Sequence, residues 1–113
     1  SVQALNAYLK QKLEEIPGIC LNSPENALPY VLNISCMGVR SEIMLHFLEE
    51  REVYVSSGSA CAKGEKSHVL KAMGLEDKRI DSAIRISFSH DTTQAQADAL
   101  IDALKAGMQT IRR

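Results

Sequence analysis

The sequence lacks a cysteine framework. Its three cysteines, at 20, 36 and 61 of 113 residues, are odd in number, widely spaced and without a CxxC pair, which argues against both a disulfide-stapled fold and a zinc site. Proline and glycine are sparse at three and six, and with 45% hydrophobic and 24% charged residues the composition is globular and not that of a disordered tail. No apolar run approaches the roughly 20 residues of a membrane span, and the opening SVQALNAYLKQKL has no apolar block of the signal-peptide kind. A soluble, cytoplasmic protein is therefore expected. Neither sign of charge prevails: thirteen Lys plus Arg stand against fourteen Asp plus Glu, and the basic residues are scattered. Nothing here offers an electrostatic footprint to nucleic acid or to an anionic membrane. The length fits one domain, residues 1–113. The chain opens inside a helical pattern at Ser1, which predicts a piece of a longer protein.

Periodicity lays out the elements. Val2, Leu5, Leu9, Leu13 and Ile16 recur at steps of three and four, giving a helix over 2–15 that Pro17-Gly18 ends. Residues 19–21 read as a short strand and 30–35 as a second, with Tyr30, Leu32 and Ile34 on one face. Ser41 is expected to cap a helix whose apolar face is Ile43, Met44, Phe47 and Leu48. A strand at 53–55 follows, then a mobile Ser/Gly-rich loop over 56–67 and a short helix through Val69, Leu70 and Met73. AIRISF at 83–88 alternates strictly, so Ile84, Ile86 and Phe88 face the core and Arg85 faces away. Thr93 and Gln96 fit a capping box for a last helix with Ala97, Leu100, Ile101, Leu104, Met108 and Ile111 on its buried stripe. The expected fold class is α+β: a two-layer sandwich in which helices cover a small, mostly antiparallel sheet. Strand order stays open.

Two residues stand out chemically. Cysteine is among the most buried residue types, yet Cys61 lies in a segment with no large apolar side chain to cover it. Lys63 and Lys66 are near enough in sequence to favour its thiolate, the nucleophilic form. An inert loop thiol is the plainer alternative. Arg85, fixed on the open side of a strand, is placed to grip a carboxylate with a two-pronged hydrogen bond, its plainer alternative being a surface charge. Cys20 and Cys36, each beside apolar neighbours, read as small hydrophobes. His46 and His68 read as structural or solvated, and His90 is a weaker candidate beside Arg85. GSACAKGEKS at 58–67 has the wrong spacing for a phosphate-binding G-x-x-x-x-G-K-[ST] loop.

VSSGSAC at 55–61, SHVLKAMGL at 67–75 and IRISFS at 84–89, with LNIS at 32–35 and the SEIMLHFLEE helix, resemble the C-terminal part of a cysteine desulfurase of the NifS/IscS-like branch of the class V aminotransferase superfamily. The resemblance implies the small C-terminal domain of a fold-type I transferase dependent on pyridoxal 5'-phosphate. Such an enzyme converts L-cysteine to L-alanine and forms a persulfide on its own cysteine, here Cys61 by motif match, for a sulfur acceptor such as an iron–sulfur scaffold or a tRNA-thiolation protein. It implies Arg85 as the substrate-carboxylate arginine and a homodimeric full-length protein. None of the seven lysines has the family's His-His-Lys context, so no cofactor-binding residue and no bound cofactor are expected here, and the isolated piece is expected to be inactive. Ser89 and His90 depart from the family's usual Gly-Arg pair. The competing readings are a stand-alone sulfur carrier or interaction module receiving persulfide at Cys61, and a related class V aminotransferase or lyase.

Overall fold

The computed structural model describes residues 2–22, 30–57, 74, 76–89 and 91–111. Cys61 and most of the expected loop, the short helix expected at 67–73, and His90 lie outside the described residues.

Among the described residues eight elements follow one another: α1 (Val2–Glu14), β1 (Ile19–Leu21), β2 (Val31–Cys36), α2 (Ser41–Glu49), β3 (Ser56–Ser57), α3 (Asp77–Asp81), β4 (Ala83–Ser87) and α4 (Gln94–Thr110). The four strands form one sheet in the order β1-β2-β4-β3, every neighbouring pair antiparallel. Helices therefore cover a small antiparallel sheet, the α+β arrangement that the sequence pattern predicts.

The apolar stripe of α1 buries Val2, Leu9 and Leu13, with Ile16 just beyond the helix end. Gly18 then turns the chain at a φ of 89°, a conformation that suits a residue without a Cβ. Leu32 and Ile34 on β2 and Ile84 and Ile86 on β4 are directly opposite one another in register and close the core from the sheet side. From the helix side, α4 contributes Ala97, Leu100, Ile101, Leu104 and Met108. Its start is the expected capping box: the Thr93 hydroxyl accepts from the Gln96 backbone N–H at 3.1 Å, and the Gln96 side chain accepts from the Thr93 N–H at 2.9 Å. Gly107 lets α2 approach closely, since a Cβ there would lie 2.8 Å from the Met44 sulfur. Tyr8 donates its hydroxyl to the Asp98 carboxylate and ties α1 to α4.

Several expectations shift. Pairing begins at Ser56, not across 53–55, because the Val53 N–H bonds back to the Leu48 carbonyl at 2.9 Å and holds that stretch against the end of α2. Arg40 occupies the N-cap of α2 with no side-chain cap, and the Ser41 hydroxyl turns to the Glu42 carboxylate at 3.2 Å. Ile43 is 46% exposed, since the helix buries only Met44 and Leu48 fully. Tyr30 is also exposed and does not share the burial of Leu32 and Ile34. α3 has no counterpart in the sequence reading. It lies on the sheet face opposite the main core, where Ile80 packs with Ala83 in a separate small cluster.

Candidate functional site

Arg85 points out of the sheet, exposed between the buried Ile84 and Ile86, as the alternation of β4 dictates. The register gives it neighbours on both sides: Asn33 of β2 is its direct partner across one ladder and Ser56 of β3 across the other. Beyond Leu21 and Ile34, which are paired, the Asn22 N–H donates to the Asn33 carbonyl at 2.8 Å. Asn22, Asn33, Arg85 and Ser56 thus form a polar row running across the whole sheet on the face away from the main core. Directly opposite residues in such a pair have Cβ atoms about 5 Å apart, so these side chains stand side by side.

One end of the row is locked in place. Arg79, on α3, donates from Nε to Asn22 Oδ1 at 2.6 Å and from Nη2 to the Leu21 carbonyl at 2.7 Å. The Asn22 amide then donates to Asn33 Oδ1 at 2.9 Å and to Ser35 Oγ at 2.8 Å, and the Ser35 hydroxyl donates to the Arg79 carbonyl at 2.5 Å. Asn22 is 3% exposed, so these bonds are sheltered from water and fix its orientation. By contrast, no hydrogen bond or ion pair engages the Arg85 guanidinium among the described residues. A polar row locked at its Asn22 end therefore includes an exposed guanidinium, a group that can receive a carboxylate in two parallel N–H···O bonds.

Among the described candidates, Cys36 and His46 stand apart from this row. Cys36 is fully buried at the end of β2, and burial pushes its thiol up to about 12, which keeps it protonated and unreactive. Cys20 is half-buried and in register with Ser35. His46 is exposed on α2, 3.7 Å from Glu50. Cys61, Lys63, Lys66 and His68 lie outside the described residues. A cavity of about 300 Å³ has Leu9, Val55, Ile86, Phe88 and Leu100 in its walls and, among the described residues, no cationic side chain to hold an acid group. Sequence reasoning singled out Arg85 but missed its neighbours. For Asn33 the signal was present, since the alternation of LNIS places it opposite Leu32 and Ile34. Arg79 and Asn22 gave none, because 57 residues separate them.

A pyridoxal phosphate site needs a lysine amine and an acidic partner converging in an enclosed space. The described lysines do not provide it: Lys12 engages Glu15 at 3.9 Å and the Tyr8 ring, Lys10 lies on the same helix, and Lys78 and Lys105 are exposed on α3 and α4. None belongs to the row of Arg85. The described residues do not fit that cofactor.

The aminotransferase class-V family model matches residues 1–100. A NifS/IcsS protein homolog of Lactobacillus delbrueckii subsp. bulgaricus is 36% identical over 104 residues, covering 88% of this chain and 27% of its own length. The cysteine desulfurase IscS of Vibrio campbellii is 34% identical over 112 residues, covering 96% of this chain and 27% of its own length. Among solved structures, a NifS-like protein from Rickettsia africae superimposes with a TM-score of 0.82 at 29% identity, over 96% of this chain and 28% of that one. The chain thus spans little more than a quarter of the length of the relatives it matches.

Proposed function

The chain belongs to the aminotransferase class-V family, and from that premise we propose that it is the C-terminal small domain of a pyridoxal-phosphate-dependent cysteine desulfurase. The whole protein takes L-cysteine, releases L-alanine and retains the sulfur as a persulfide on Cys61. In that transfer the Cys61 thiolate attacks the substrate sulfur, an S–S bond forms as the C–S bond breaks, and the carbon keeps the electron pair and takes a proton. Arg85 holds the substrate carboxylate. Lys63 and Lys66 favour the thiolate at Cys61. The persulfide then passes to an acceptor such as an iron–sulfur scaffold, and the whole protein works as a cytoplasmic homodimer.

One observation carries this reading: β3, the strand that leads into the SSGSAC segment, pairs with β4 at Arg85 itself, Ser56 opposite the guanidinium-bearing residue. Cys61 follows Ser56 by five residues, a tether that spans at most about 18 Å. The chain path thus ties the nucleophile to the carboxylate clamp through a single pair of neighbouring strands. The names of the two relatives support the same chemistry.

Arg85→Ala tests the clamp in the full-length protein. Removing a charged hydrogen-bond donor costs about 1.5–3 kcal/mol, so the KM for L-cysteine should rise at least tenfold while the protein keeps its fold and cofactor. An unchanged KM would take Arg85 out of the site.

A further inference from the structure

An aromatic side chain stands on the same side of the sheet as Arg85. Val53 and Val55 both pack against the main core, so Tyr54 between them points to the opposite face, where alternation also places Ser56, the residue paired with Arg85. Tyr54 is 74% exposed, well beyond Tyr30 or Ile43. Its backbone is nonetheless held on both sides. Before it, the Glu52 and Val53 N–H groups bond back to the Glu49 and Leu48 carbonyls, each at 2.9 Å, and Glu52 takes a φ of 61° to complete that turn, a conformation unfavourable for a residue with a Cβ. After it, the ladder to β4 begins at Ser56. A ring so exposed on so firmly anchored a segment is preorganised for contact with a further group.

The antiparallel register fixes which side of Arg85 it occupies. Ser57 pairs with Ile84, so the chain leaves for Cys61 on that side, and Tyr54 lies on the other, toward Ser87. Tyr54 is two residues from the direct partner of Arg85. In a ladder such diagonal neighbours have Cβ atoms about 7 Å apart, within reach of aromatic and long side chains. A carboxylate offers about four acceptor positions. The guanidinium fork takes two of them and leaves others for a hydroxyl that approaches from the side.

We infer that Tyr54 is a second substrate-binding residue, whose phenolic hydroxyl donates to the carboxylate that Arg85 grips. The inference rests on the desulfurase reading and deepens it, since it names what else holds the amino acid's acid group. A carboxylate held from Arg85 and from the Ser87 side directs the rest of the amino acid toward the Ser57 side, from which the chain runs on to Cys61.

Tyr54→Phe in the full-length protein removes the hydroxyl alone, and at so exposed a position it should leave the thermal midpoint unchanged. The KM for L-cysteine should rise about tenfold, the scale of one hydrogen bond to a charged group. Two small competitors distinguish loss of a carboxylate contact from a general disturbance of the site. The inhibition constant of L-alanine, which has the carboxylate, should rise by a similar factor, and that of cysteamine, which lacks it, should stay within twofold of its value in the unmodified protein. An unchanged KM, an equal rise for both competitors, or a KM that rises only together with a lower midpoint overturns the inference while the desulfurase reading stands. If the unmodified full-length protein releases no alanine from L-cysteine, the reading fails and the inference fails with it.

Discussion

At Cys36 the sulfur is enclosed by the core at the end of β2, and enclosure holds its proton far above the ordinary value of 9.0, to about 12. The consequence for stability has a definite sign. Below about pH 9 the folded and unfolded chains both keep the thiol protonated, and the contribution of burial is intact. Above it the unfolded chain releases the proton while the folded one retains it, so stability falls by about 1.4 kcal/mol per pH unit from this group alone until about pH 12. Denaturant unfolding between pH 8 and 11, compared with Cys36→Val, measures it: the variant, similar in size and without a thiol, should lose that part of the slope, and identical slopes would contradict the assignment. Arg85 is the opposite case, a polar residue whose exposure follows from strand alternation. Its outward direction was legible in the sequence because period-two burial fixes side-chain direction without any long-range knowledge. The polarity of Asn33 was not, because it depends on Arg79 and Asn22, which only the tertiary fold brings within hydrogen-bond reach.

Among the elements, α4 was the most legible, since its stripe is long and its cap is local. The capping box of Thr93 and Gln96 needs only a spacing of three residues, and the structure forms both of its bonds. Thr93→Ala should cost about 1 kcal/mol, read as a lower denaturation midpoint, and should leave the KM for L-cysteine unchanged in the full-length protein because α4 packs on the other side of the sheet; a change in KM would mean that this helix reaches the site. α2 was legible in its bounds and not in its burial. Its apolar face is wider than the strip that the sheet and α4 cover, which leaves Ile43 exposed. Pattern reasoning fails further on the shortest pieces. VYV has the composition of a strand but is held by the turn after α2, whereas the two serines that do pair carry no strand signal of their own. α3, with the sequence DKRID, is too short to display a stripe.

At the scale of the molecule, the strand order places β4 between β2 and β3, so that one residue, Arg85, meets both the LNIS strand and the strand leading to Cys61. No local pattern reveals that order, because it pairs segments separated by dozens of residues. Among the described residues, the helices α1, α2 and α4 gather on the core face and α3 lies on the other. The result is a division of labour across a single thin sheet: an apolar side that holds the fold together and a polar side that carries the row of Asn22, Asn33, Arg85 and Ser56. This polar side is expected to serve a sulfur transfer completed at Cys61. That transfer is tested most directly by mass spectrometry of the peptide containing Cys61 after the full-length protein has turned over L-cysteine, set beside alanine release in the same protein and in Cys61→Ser. The peptide should gain one sulfur atom, removable by a reducing thiol, and Cys61→Ser should keep its cofactor but yield neither persulfide nor sustained alanine release. Undiminished alanine release from Cys61→Ser, or a Cys61 peptide that stays free of added sulfur during turnover, would contradict that transfer.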